Sequence, residues 1–127
     1  MEICGLGIDL IEIKRLRDVG ERFGERFLTR VYTQREIGYC NSHRDPYAHF
    51  AARFCAKEAI LKAFGVGWTR IPWLDIEIVN DAYGDPRVNL YGKAEKMFVS
   101  MKAQRILLSI SHSGSMAIAQ AIILKGE

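Results

Sequence analysis

The stretch Ala48-His49-Phe50-Ala51-Ala52-Arg53-Phe54-Cys55-Ala56-Lys57-Glu58-Ala59-Ile60-Leu61-Lys62-Ala63-Phe64-Gly65 decides how this chain is read. It predicts a long helix over 48–64, closed by Gly65, which suits a left-handed C-terminal position because it has no Cβ. At about 100° per residue, Phe50, Phe54, Leu61 and Phe64 share one apolar stripe. Lys57 projects inside that stripe, while Glu58 and Lys62 lie together on one edge beside Ala51 and Cys55. The remaining side holds Ala59 and Ile60, so no clean polar face exists. A helix apolar nearly all round is normally buried, and its charges must then be paired or bound to something. Glu58 and Lys62 are also four residues apart in the order that favours a side-chain ion pair, worth about 0.2–0.5 kcal/mol on an exposed surface. A salt bridge with no further role is therefore the alternative to a site.

Upstream, residues 3–13 read as a β-branched, apolar strand in which Gly5 and Gly7 let another backbone approach closely. Strict alternation puts Asp9 on the face of Ile3, Gly5, Gly7 and Ile11, where a carboxylate is costly unless it meets a cation, a donor or water. Gly5-Leu6-Gly7 is too short for a dinucleotide fingerprint, which needs a third glycine before a helix. Residues 14–32 predict a helix broken near Gly20 or Gly24. Thr33 caps a short helix over 33–39, with Glu36 completing a capping box, and 41–46 is a polar loop.

Downstream of the central helix, 65–72 is a loop, and 73–79 alternates as a strand with Leu74, Ile76 and Ile78 on one side. A turn over 80–86, a strand over 87–91 and a helix over 92–103 follow. Strands at 105–111 and 116–124 are joined by the hairpin His112-Ser113-Gly114-Ser115. This mixed order with antiparallel pairing at the end gives an α+β fold. No repeat, low-complexity tract or linker divides the chain, so residues 1–127 read as a single domain.

The composition, 49% hydrophobic and 26% charged over 127 residues, is that of a soluble globular domain with a real core. The apolar runs are too short to span a bilayer, and the start lacks the basic and apolar regions of a secretory signal. Cys4, Cys40 and Cys55 are odd in number without metal-ligand spacing, which points to reduced thiols in the cytoplasm. His43, His49 and His112 are scattered. The net charge is +3, and one segment holds as much: Lys14, Arg15, Arg17, Arg22, Arg26 and Arg30 stand against Asp18, Glu21 and Glu25, six minus three. Such a patch fits an acidic partner or a phosphate-bearing ligand. An RNA-binding module would interleave aromatics with basic residues on a sheet, and neither the central strand nor the final hairpin does so.

Asp9 and Glu58 form a pair with chemical content. Two oxygen ligands on rigid elements suit Mg²⁺, which keeps waters and completes its shell with substrate phosphates. Lys62 beside them can neutralise charge on a phosphate being transferred or displaced. His112 is a candidate proton shuttle or phosphate donor, against the plain reading of a polar turn histidine.

At these residues the sequence resembles the small, single-domain holo-[acyl carrier protein] synthases. Gly7-Ile8-Asp9-Leu10-Ile11-Glu12-Ile13 matches one family signature, and Arg53-Phe54-Cys55-Ala56-Lys57-Glu58-Ala59-Ile60-Leu61-Lys62-Ala63-Phe64-Gly65 matches the more specific second. Ser109-Ile110-Ser111-His112-Ser113 followed by Ala117-Ile118-Ala119 resembles the final hairpin, and Asp75-Ile76-Glu77-Ile78 and Gly84-Asp85-Pro86 the central strand and turn. The resemblance implies a 4'-phosphopantetheinyl transferase-like fold, an antiparallel sheet packed on a long helix. It implies transfer of 4'-phosphopantetheine from coenzyme A to a serine of apo-acyl carrier protein, releasing adenosine 3',5'-bisphosphate, in support of fatty acid synthesis. A different coenzyme A enzyme, such as an acyltransferase, would leave the Asp9/Glu58 pair without a purpose.

By the same resemblance, Asp9 and Glu58 bind Mg²⁺ and Lys62 contacts the phosphates. Arg44 and Arg53 are candidates for the coenzyme A 3'-phosphate, with His112 helping from a neighbouring subunit of a homotrimer. Glu58, a metal-bound water and His112 all stand as candidates for the general base. Arg15, Arg22 and Arg26 line one stripe beside Leu16, Phe23 and Phe27 if their helix is continuous, a surface for the acidic carrier, with the family's carrier contact at Arg15. Around Arg44 the chain departs from the family's more basic run, with His43 before it and Asp45 after. Cys55 replaces a commoner alanine.

Overall fold

Glycine at alternate positions lets a strand lie flat on a helix, and the core is organised this way. In the computed structural model, which describes residues 1–126, β1 (Glu2–Glu12) pairs antiparallel with β5 (Met116–Lys125), and β5 with β4 (Ala103–Ser113). This sheet, in the order β1-β5-β4, packs one face on the helix α4 (Pro46–Phe64). Small residues make the contact close: Ala117, Ala119 and Ala121 of β5 and Ala56, Ala59 and Ala63 of α4 are all buried. The α+β architecture, an antiparallel sheet on a long helix, is the one expected.

Thirteen of the nineteen residues of α4 are buried, as a helix apolar on every side requires. It starts at Pro46, two residues earlier than the sequence reading, because proline fits a first turn whose N–H groups have no helical partner. Gly65 ends it at φ 80°, the left-handed cap expected. Lys57 is fully buried and donates to Glu36 Oε1 at 2.7 Å, the Val31 carbonyl at 2.6 Å and the Trp73 carbonyl at 3.2 Å. The charge inside the apolar stripe is thus fully paired, and it joins α4 to three other segments.

The other elements surround this core. The expected helix over 14–32 is two helices, α1 (Ile13–Phe23) and α2 (Glu25–Val31), divided at Gly24, where φ is 56°. Gly20 stays helical, with the Tyr47 ring where a Cβ would stand. Thr33 and Glu36 form the expected capping box of α3 (Gln34–Asn41). Trp73–Asp75 is a 3₁₀ turn, so β2 (Ile76–Asn80) begins later than expected and Leu74 is exposed instead of sharing the face of Ile76 and Ile78. Asp75 explains the difference: its carboxylate accepts from the Lys93 N–H at 2.7 Å, tying the turn to the start of a later helix. β3 (Pro86–Leu90) pairs with β2 in a separate hairpin, and α5 (Gly92–Ser100) stops short of the expected end because Lys102 turns at φ 57°.

Two strand details also differ. A bulge between Ile3 and Gly5 inverts the alternation, so Ile3 is exposed and Cys4 packs on the core instead. His112 belongs to β4, opposite Ala117, and not to the turn. The three cysteines are free thiols. The outer face of β1 is apolar and uncovered: Leu6, Ile8 and Leu10 are 61%, 55% and 59% exposed.

Candidate active site

Two strand residues advance about 6.7 Å and four helix residues about 6 Å, so a strand and a helix lying together stay in step. A Cβ at Gly5 would collide with the Ala63 carbonyl, and one at Gly7 with the Ala59 carbonyl. The next inward residue, Asp9, therefore falls against Cys55, with Glu58 and Lys62 to its side. The glycines that let β1 sit down on α4 are what bring the strand carboxylate to the helix charges.

Lys62 donates to Asp9 Oδ1 at 3.2 Å and to the Ile8 carbonyl at 2.9 Å, so its ammonium is committed to β1 and not to a pairing within its own helix. Glu58 is half-buried beside them. Burial, and then the Asp9 carboxylate, raises the Glu58 carboxyl above its ordinary range, with Lys62 opposing. Burial first, then Asp9 and Glu58, push the Cys55 thiol up to about 12, and it donates to the Ala117 carbonyl at 3.4 Å. The thiol stays neutral at the back of the site.

Asp9 and Glu58 open into a cavity of about 330 Å³ whose walls are Leu10, Ile11, Leu16, Val19, Phe27 and Phe54, with Arg15 at its edge. Two carboxylates share a largely apolar recess; the Lys62 ammonium is bound to Asp9, which leaves Glu58 without an ion-pair partner of its own. That donor set fits a hard divalent cation, which needs few protein oxygens when water and phosphate complete its shell. Among the described residues no group of three or more His, Cys, Asp or Glu side chains is arranged to hold a metal unaided.

A second cavity adjoins the first through Val19 and Phe27, and Phe23, Arg26 and Arg30 complete it. The basic stripe is interrupted at Gly24, leaving Arg15 and Arg22 on α1 and Arg26 on α2. Arg22 lies over the Phe23 ring at 5.2 Å. Arg30, which belongs to the basic segment but not to the expected stripe of Arg15, Arg22 and Arg26, also lines this groove.

The remaining candidates lie elsewhere. Arg53 is buried, donates to Asn80 Oδ1 at 2.7 Å and lies over the Tyr39 ring at 3.9 Å, while its Nε has no hydrogen-bond partner among the described residues. Arg44 is exposed just before α4. His112 packs edge to face on His49 at 5.3 Å, and His49 stacks on His43 at 3.7 Å. The histidines are therefore not scattered: three elements bring them into one row. His49 and Glu58 are nine residues apart on α4, about 180° around the helix, and Arg53 and Glu58 about 140°. The candidate residues thus fall into two groups on opposite sides of the central helix, Asp9-Glu58-Lys62 in one and Arg53 with the histidine row in the other.

Known proteins share this fold. A family model described as the 4'-phosphopantetheinyl transferase superfamily matches residues 5–121. A holo-[acyl-carrier-protein] synthase of Desulforudis audaxviator is 43% identical over 120 residues, 94% of this chain and 92% of that protein. Among solved structures, the holo-[acyl-carrier-protein] synthase of Neisseria meningitidis superposes with a TM-score of 0.90 at 30% identity, covering 98% of this chain and all of that one. That of Helicobacter pylori, in complex with coenzyme A, superposes with a TM-score of 0.83 at 31% identity over 94% of this chain and 99% of that one. With fold, motifs and near full-length relatives in agreement, this chain belongs to the 4'-phosphopantetheinyl transferase superfamily.

Proposed function

We propose that the chain transfers the 4'-phosphopantetheine group of coenzyme A to a serine of apo-acyl carrier protein, releasing adenosine 3',5'-bisphosphate, in support of fatty acid synthesis. The observation that carries this reading is that Asp9 and Glu58 open together into one recess, with Lys62 bound to Asp9 beside them and Glu58 left without an ion-pair partner. Mg²⁺ held by Asp9 and Glu58 would supply Lewis-acid neutralisation of the pyrophosphate. The serine Oγ attacks the phosphorus bearing the pantetheine arm, and the bond to the adenosine bisphosphate oxygen breaks. Glu58, which opens into the recess without an ion-pair partner, receives the serine proton; Lys62 faces the departing phosphate and offsets its charge.

The groove from Asp9 past Phe27 to Arg26 runs along α1 and α2, which supports placing the acidic carrier there, with Arg15, Arg22 and Arg26 as its contacts. Arg44, Arg53 and His112 then take the 3'-phosphate. Because Arg53 and His112, which packs on His49, lie across α4 from Glu58, this group serves a neighbouring subunit's carboxylates, and the chain works as a homotrimer of single domains spanning 1–127. The exposed Leu6, Ile8 and Leu10 face favours such an assembly, since an uncovered apolar strand surface gains by burial. No helix of the described residues is long and apolar enough to cross a membrane, and we place the enzyme in the cytoplasm with its carrier.

The test is to incubate the protein with coenzyme A, apo-acyl carrier protein and Mg²⁺ and weigh the carrier by mass spectrometry. A gain of one phosphopantetheine group per carrier is expected; an unchanged mass overturns the assignment.

A further inference from the structure

The row of histidines has more structure than phosphate contact at His112 requires. His43 stacks on His49 with centroids 3.7 Å apart and planes at 30°, and His49 meets His112 edge to face. Tyr39 closes the row, 4.6 Å from His43 and 5.8 Å from His49, with the Arg53 guanidinium over its ring. The Tyr39 carbonyl lies 2.7 Å from His43 Nδ1, so that nitrogen carries a hydrogen and Nε2 is left to accept the second proton.

The charges around the row favour an anion. Arg53 is a buried permanent cation with its Nε unpartnered. Asp45 is the acidic group that acts on His49, and Arg17 already holds it at 3.1 Å. Burial, and then His43, His112 and Arg53, lower the His49 imidazole below its ordinary range. The His49 ring, stacked on His43 near a guanidinium, resists a proton because Asp45, shared with Arg17, does not make up for its burial and its cationic neighbours. A dianion at the ring edges would offset the proton's charge.

We propose that His43, His49 and His112 form one proton-coupled subsite for a phosphate monoester, in which binding of the phosphate brings a proton onto the imidazole row. This rests on the transferase reading and adds a pH linkage to its nucleotide-binding half. The sign follows directly: the protonated row binds the anion better, so affinity rises as pH falls toward the ordinary imidazole range.

Calorimetric titration with adenosine 3',5'-bisphosphate, in two buffers of different ionisation enthalpy at pH 7, counts the protons. Wild type should take up a fraction of a proton approaching one per ligand, with affinity rising by up to about tenfold per pH unit. His49→Phe keeps a ring in the stack and removes the central imidazole, so it should lose at least half of that uptake. The ligand's own phosphate titrates in both proteins, so the difference isolates the row. Equal uptake in both proteins, or ligand binding to wild type without uptake, overturns the proposal and leaves the transferase reading standing. No binding to wild type overturns both. Imidazole NMR resonances of wild type give an independent reading: at least one midpoint should rise on adding the nucleotide, and three unmoved midpoints in the bound protein contradict the proposal.

Discussion

Lys57 and Glu58 are adjacent on α4 and differ in almost everything else. Lys57 is fully enclosed and meets three acceptors, among them Glu36, which itself caps α3 and accepts from the Ile78 N–H at 2.9 Å. Every polar group in that cluster is answered from within the protein. Glu58 faces a recess where the nearest charge on β1 has its own sign and the one ammonium is already bound to that neighbour. The difference teaches how to tell a structural charge from a working one. Both are half or wholly buried and both sit in the same motif, but only one is left unbalanced.

The contrast can be broken by substitution. Lys57→Met should cost the most stability, about 3–5 kcal/mol, because it strands the buried Glu36 carboxylate without its cation; urea denaturation measures it. Glu58→Gln should act in the opposite sense. It relieves repulsion with Asp9, so the melting temperature should hold or rise while transfer falls at least about a hundredfold, since even outer partners of a bound metal are worth about 10–100-fold. A Glu58→Gln protein that melted early would place Glu58 with Lys57 among the structural charges. Thr33→Ala removes a helix cap and a donor to Glu77, for a loss of about 1 kcal/mol.

The smallest effect is one of pH. Burial pushes the Glu77 carboxyl up, but hydrogen bonds from Thr33, Asn89 and Tyr91 with the charge of Arg35 outweigh it, and the net shift is downward. A depressed carboxyl contributes stability that is present above its ordinary value of 4.5 and is lost as pH falls through the folded value. Glu77→Gln should flatten the stability profile in that acid window and leave its shape at neutral pH unchanged.

How much of this was legible in the sequence follows from which interactions are local. The Thr33–Glu36 box and the Gly65 cap depend on residues a turn apart and read directly. Asp9, Glu58 and Lys62 stood out because each is a charge on an otherwise apolar element, although nothing local says that Lys62 turns to Asp9. Gly20 and Gly24 looked alike as helix breakers; only the Tyr47 ring over Gly20 separates a packing glycine from a hinge. The strand expected from Trp73 failed because apolar alternation cannot see Asp75 reaching forward to the Lys93 N–H. The histidine row was illegible for the same reason, its members coming from three elements that meet only in the fold.

That two half-sites on opposite sides of α4 belong to different subunits is the central claim, and mixing subunits tests it most directly. Glu58→Gln disables the carboxylate half and His112→Ala the phosphate half, so each protein alone should transfer poorly. After subunit exchange in an equal mixture, a site shared between neighbours is intact whenever a wild-type carboxylate half meets a wild-type histidine half, which restores about one quarter of wild-type activity in a random cyclic assembly. If the mixture exchanges subunits and remains as inactive as its parents, the two halves do not meet across an interface and the account is wrong.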